Sequence, residues 1–193
     1  MSDCAFCRTP LPDNDADRLA LAMAQARAAK KDPVAINFLG EKYCHGRLGL
    51  QKDTRKAVEM LTEAAGLGSI DALFNLGAAH EDGVGVQQDE AKAVEFYAKA
   101  AMQGHVLSRY SLGFTLGKKE GNYGRAVRLS VVRHFMISAK MGHKDSVEAI
   151  KTMFSTGFAT KEQYVDALKG YQESVEETKS HYRDEAKRIR DGH

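Results

Sequence analysis

Cysteine is scarce in this chain, and where it occurs excludes a disulfide framework. The three cysteines are Cys4, Cys7 and Cys44. An odd number, with two crowded near the start, does not form the even set of a stapled extracellular domain, so a reducing compartment is expected. Proline is also sparse, with three residues, and 43% of the chain is hydrophobic. That composition excludes wholesale disorder. Charge of one sign is missing too. The 28 basic and 26 acidic side chains leave a net +2, which gives no general reason to seek nucleic acid or a membrane surface. No apolar run is long enough to span a bilayer. Residues 1–20 lack the basic start and apolar stretch of a secretory signal. A soluble, cytoplasmic chain without membrane or nucleic-acid partners is expected.

Signatures of chemistry are missing as well. No two histidines fall in a His-x-x-x-His or His-Glu-x-x-His arrangement. Gly83-Val84-Gly85 has neither the Gly-Lys-Ser/Thr ending nor the preceding strand of a phosphate loop. Arg125, Arg128 and Arg133, joined by Lys118 and Lys119, read as a solvated basic face. No nucleophile stands in a recognisable context. Neither a cofactor nor catalysis by this chain is expected.

What the chain does have is an internal repeat of about 36–38 residues. Leu39-Gly40 recurs as Leu76-Gly77 and Leu112-Gly113. Ala35 is matched by Ala72, Ser108 and Ser146. Ala64-Ala65 followed by Gly68 becomes Ala100-Ala101 with Gly104, then Ser138-Ala139 with Gly142. Lys56-Ala57-Val58-Glu59 returns as Lys92-Ala93-Val94-Glu95. Each unit predicts two helices. In the first, Ala35, Leu39 and Tyr43 fall four apart on one face. A glycine inside a helix costs about 1 kcal/mol relative to alanine. Its return after each leucine therefore predicts a crossing too close for a side chain. A glycine-rich turn follows, then Asp53 or Asp89 where an N-cap is needed. His80 stands where the first unit has Tyr43, and Glu81 and Asp82 beside it are expected in solvent.

The pattern Leu-Gly-x-x-Tyr-x-x-Gly, Gly-Val-x-x-Asp, Lys-Ala-x-x-aromatic-x-x-Lys-Ala-Ala-x-x-Gly resembles the Sel1-like repeat, a relative of the tetratricopeptide repeat. The second unit carries it most fully, through Leu76-Gly77, Gly83-Val84, Asp89, Lys92-Ala93, Tyr97, Lys99-Ala100-Ala101 and Gly104. The resemblance implies an all-α, right-handed α-solenoid that serves as a protein-interaction scaffold or adaptor. The expected layout is a tail at 1–14, a leading helix at 15–31, and repeats at 32–68, 69–105 and 106–143. A degenerate fourth unit starts at 144, and 160–193 forms its second helix and a capping helix. Tyr164, Leu168, Tyr171, Val175, Thr178 and Tyr182 make a narrow stripe there, which fits a cap or self-association.

Tetratricopeptide geometry implies that partners meet the concave face two residues either side of the repeated leucine. Those positions are Asn37 and Glu41, Phe74 and Ala78, Tyr110 and Phe114. Asn37 is expected to be exposed. The aromatics are either anchors for a partner or bridges within the core. Cys4-Ala5-Phe6-Cys7-Arg8 separately resembles the last ligand pair of a RING finger. With most ligands missing, no metal is expected at this pair unless the rest of a RING is present. The alternative function is then substrate recruitment for a RING-type ubiquitin ligase.

Overall fold

The computed structural model describes residues 15–118 and 125–190. Cys4 and Cys7, which carry the RING resemblance, lie outside that range, as do residues 119–124. Among the described residues the helices are α1 (Asp15–Ala28), α2 (Pro33–His45), α3 (Thr54–Gly66), α4 (Ile70–Asp82), α5 (Glu90–Met102), α6 (Val106–Lys118), α7 (Arg125–Lys140), α8 (Lys144–Ser155) and α9 (Lys161–Arg190). The chain forms two compact units, Met1–His105 and Val106–His193. The first holds α1–α5 and the second α6–α9.

In the first unit the helix starts are written in the sequence. Asp32 accepts the N–H groups of Val34 and Ala35 at 3.0 and 3.3 Å, with Pro33 opening α2. Arg27 holds Asp32 at 2.7 Å. Asp53 accepts the Lys56 N–H at 3.0 Å, and Asp89 accepts those of Ala91 and Lys92 at 3.1 Å. The turns before these caps share a frame. The Asp53 N–H donates to the Tyr43 carbonyl at 2.9 Å, and the Asp89 N–H to the His80 carbonyl at 2.8 Å. Gly68 and Gly104, at positive φ, follow the ends of α3 and α5.

The Asp89 cap gives a test against pH. Chiefly through the Lys92 N–H, its carboxyl is held below the ordinary aspartate range. A depressed folded-state pKa contributes stability above the unfolded value, which is lost as pH falls through the folded value. Asparagine also caps helices but does not titrate. Asp89→Asn should therefore lose less of its melting temperature than the parent between about pH 5 and about pH 2. Thermal melts followed by circular dichroism would show it. Parallel acid limbs would mean that the cap's charge contributes nothing.

The core of the first unit is Ile36, Leu61, Ala64, Ala72 and Leu76, drawn from α2, α3 and α4. The leucine–glycine pairs have a clear role there. A Cβ on Gly77 would lie 2.5 Å from the Tyr97 ring, and one on Gly40 3.1 Å from Leu61. The second unit packs Val131, Val132, Phe135, Ala139, Val147, Ile150, Ala159 and Ala167. Thr160 opens α9 with a reciprocal capping box: the Gln163 N–H donates to its hydroxyl at 3.2 Å, and its own N–H donates to Gln163 Oε1 at 2.8 Å. On α9, Tyr164, Leu168, Tyr171 and Val175 are half-buried around the buried Ala167 and Gly170. The side chains described beyond Val175 are exposed, Thr178 and Tyr182 included.

Candidate partner-binding groove

Between α2 and α4 of the first unit lies a small polar network. Asn37 donates to Glu41 Oε1 at 3.1 Å, and Asn75 donates to Asn37 Oδ1 at 2.9 Å and to the same Glu41 oxygen at 3.0 Å. Asn37 is buried, with 7% exposure, and not in solvent as the repeat register suggests. The physical reason is the network: with both ends of its amide bonded, burial no longer costs an unmade hydrogen bond. Asn75 is not among the site residues expected from the sequence. The repeat register gives no signal for it, since Asn75 aligns with Phe38 and the position equivalent to Asn37 is Phe74.

Glu41 and Asn75 border a groove of about 180 Å³, together with Cys44, His45, Ala78 and Asp82, floored by Ala57, Val58 and Leu61. Glu41 and Ala78 are thus brought to one place. Phe74 is not on that rim: it is half-buried, with its ring 5.8 Å from Tyr97 and 5.0 Å from His105. Glu81 is not simply solvated either, because Tyr97 donates its hydroxyl to Glu81 Oε2 at 2.9 Å. His80 stacks on Phe96 at 5.5 Å, while Tyr43 at the matching position accepts from Lys56 Nζ at 2.8 Å.

In the second unit Tyr110 belongs to the packing. Its ring lies 5.5 Å from Phe135 and 4.7 Å from His143. Phe114 is 46% exposed. It lines a cavity of about 340 Å³ with Arg128, Val131, Phe135, Met153 and Phe158. The Arg128 guanidinium sits 4.7 Å from the centre of the Phe158 ring. Burial first, then Arg109 and Arg133, holds His134 below the usual histidine range. Among the described residues, no group of three or more His, Cys, Asp or Glu side chains could hold a metal ion. No described helix is long and apolar enough to cross a membrane.

Helix pairs with recurring caps, recurring close crossings and grooves between neighbouring pairs define an all-α solenoid of helix-turn-helix repeats. Residues 33–69 and 70–105 each match the Sel1 repeat. A search of curated proteins found no match. Among solved structures, the chain is similar to a Sel1 repeat protein from Oxalobacter formigenes, with TM-score 0.65 and 20% identity. That similarity covers 83% of this chain and 63% of the other. It is also similar to c5321, a protective antigen present in uropathogenic Escherichia coli strains that displays an SLR fold. There the TM-score is 0.50 and the identity 24%, over 81% of this chain and 41% of that one. The chain therefore spans less than two thirds of the length of either neighbour.

Proposed function

We propose that this chain is a protein-interaction scaffold that does no catalysis of its own. Sel1 repeat proteins generally act in this way. Partners are held on the faces of the first helices, at Glu41 and Ala78 in the first unit and at Phe114 in the second. The observation that carries the proposal is the bonded Asn37–Glu41–Asn75 network, through which buried Asn37 fixes Glu41 and Asn75 on the wall of a groove. Side chains already fixed by their neighbours lose little further freedom when a partner arrives, and this favours binding. Glu41 and Asp82 supply acceptors, and Ala78 leaves room between them.

Asn37 is a poor position to disrupt, because a charged side chain there would be buried. Ala78→Arg fills the groove from a half-buried position on α4 instead. The purified chain and this variant should retain different proteins from lysate in a quantitative affinity pull-down. Partners lost only with Ala78→Arg, at unchanged circular dichroism, would support the proposal. The same partners retained by both would remove this groove from it.

A further inference from the structure

The cavity beside Phe114 is the counterpart, two repeats on, of the groove beside Glu41. The match runs residue by residue along the register. Phe114 stands for Glu41, Arg128 for Thr54, Val131 for Ala57, Phe135 for Leu61, Thr152 for Ala78 and Thr156 for Asp82. The substitutions all push one way. Two carboxylates are gone, an exposed aromatic ring and a guanidinium have come in, and the volume rises from about 180 to about 340 Å³. Both threonine hydroxyls are turned inward to their own helix: Thr152 donates to the Glu148 carbonyl at 3.0 Å and Thr156 to the Thr152 carbonyl at 3.0 Å. The threonine side chains are thus committed to α8, and among the described residues lining the cavity Arg128 alone carries a charge.

The helices that form this wall are unbalanced in charge although the whole chain is nearly neutral. Helices α6 and α7 contain Arg109, Lys118, Arg125, Arg128, Arg133 and Lys140, and no aspartate or glutamate. From the packed elements, Asp166 of α9 meets Lys140 at 2.8 Å, and Glu148 of α8 pairs with Lys151 at 3.3 Å. Neither carboxylate lines the cavity. An apolar hollow of a few hundred Å³ takes one bulky side chain, and a single cation at its wall orients a carboxylate beside it. Arg128 is the cation that lines the hollow, and the excess of basic over acidic residues on the two helices that carry it steers an acidic partner toward it.

We infer that the α6–α7–α8 cavity binds an acidic peptide segment, seating one bulky apolar side chain against Phe114, Phe135 and Met153 with a neighbouring carboxylate on Arg128. A phosphate backbone would need a row of cations lining the groove itself, whereas among the described residues Arg128 is the one cation lining this apolar hollow, so a peptide is the occupant favoured over nucleic acid. The inference rests on the scaffold reading but concerns a different groove from the one beside Ala78.

A random peptide library displayed on phage and panned on the immobilised full chain tests it. Enriched sequences should combine aspartate or glutamate with a single bulky apolar residue. A synthetic copy of the strongest should bind in fluorescence anisotropy, and Phe114→Glu and Arg128→Glu should each weaken it about tenfold or more. Phe114 is exposed enough for glutamate to leave the melting temperature unchanged, which keeps the test sound if Arg128→Glu unfolds the unit. Ala78→Arg should leave this peptide's binding intact. Loss with Ala78→Arg but not with Phe114→Glu would overturn the inference while sparing the scaffold proposal. No enrichment, enrichment of basic or neutral peptides, or tighter binding of a single-stranded oligonucleotide would also overturn it.

Discussion

Leu76→Ala should destabilise the first unit by about 2–5 kcal/mol. The residue is 2% exposed and sits in the cluster with Ile36, Leu61, Ala64 and Ala72. Two terms add. The removed carbons lose their transfer out of water, and the space they leave is only partly refilled. Refilling is hard because the neighbours come from α2 and α3 as well as from α4. Each of those helices is fixed at its start by a capping aspartate or serine. Urea titration followed by far-ultraviolet circular dichroism should show a lower midpoint at a similar slope. Leu19, 62% exposed on α1, is the control. Leu19→Ala should stay within about 0.5 kcal/mol of the parent. Equal midpoints for the Leu76 variant and the parent would mean that Leu76 does not face the core and that the register of α4 is wrong.

Gly85→Ala is the second large effect, and its origin is different. Gly85 has φ +76°, a conformation that costs an L-residue roughly 1–2 kcal/mol. A Cβ there would also lie 2.2 Å from the Thr54 carbonyl oxygen and 2.7 Å from its carbon. Those are backbone atoms at the start of α3, so no rotamer change relieves the clash. With about 1–3 kcal/mol more for forced shifts, the total loss is about 2–5 kcal/mol. Gly77 is a useful comparison. Its Cβ would meet the Tyr97 ring at 2.5 Å, but a ring can tilt, whereas the α3 backbone cannot. Gly85→Ala should therefore cost more than Gly77→Ala in the same urea titration. The reverse order would show that the loop before α5 yields more easily than the helix crossing.

The distinction between the two glycines bears on how much can be read from the chain. The repeat alone explains Gly83-Val84-Gly85 as a turn. Its actual role is docking, since Gly85 brings the second pair's turn against α3 of the first pair. A one-dimensional pattern records that small residues recur, but not which backbone they admit. Capping aspartates are different. Asp53 and Asp89 act on N–H groups two or three residues away, so sequence spacing is enough to find them. Thr160 and Gln163 are legible for the same reason.

The candidate site divides along the same line. Repeat register places Glu41 and Ala78 on a common groove. It misleads at Asn37, because polarity there does not mean exposure and the partner Asn75 belongs to another helix pair. For Phe74 and Tyr110 the register leaves anchor and core both open, and ring contacts with Tyr97, His105, Phe135 and His143 put them in the packing. Phe114, two residues after the leucine of the third repeat, stays 46% exposed although its ring stacks on Tyr110 at 6.3 Å.

By itself, then, the sequence determined that this chain is helical, that its helices come in pairs, and where most of them start. Those features depend on contacts within a few residues, and they recur with the repeat. The tertiary structure alone decided which polar side chains could be buried together, which aromatic stayed open, and how two grooves with the same register came to differ in charge and volume. Such outcomes depend on atoms that meet across helix pairs, tens of residues apart in the chain.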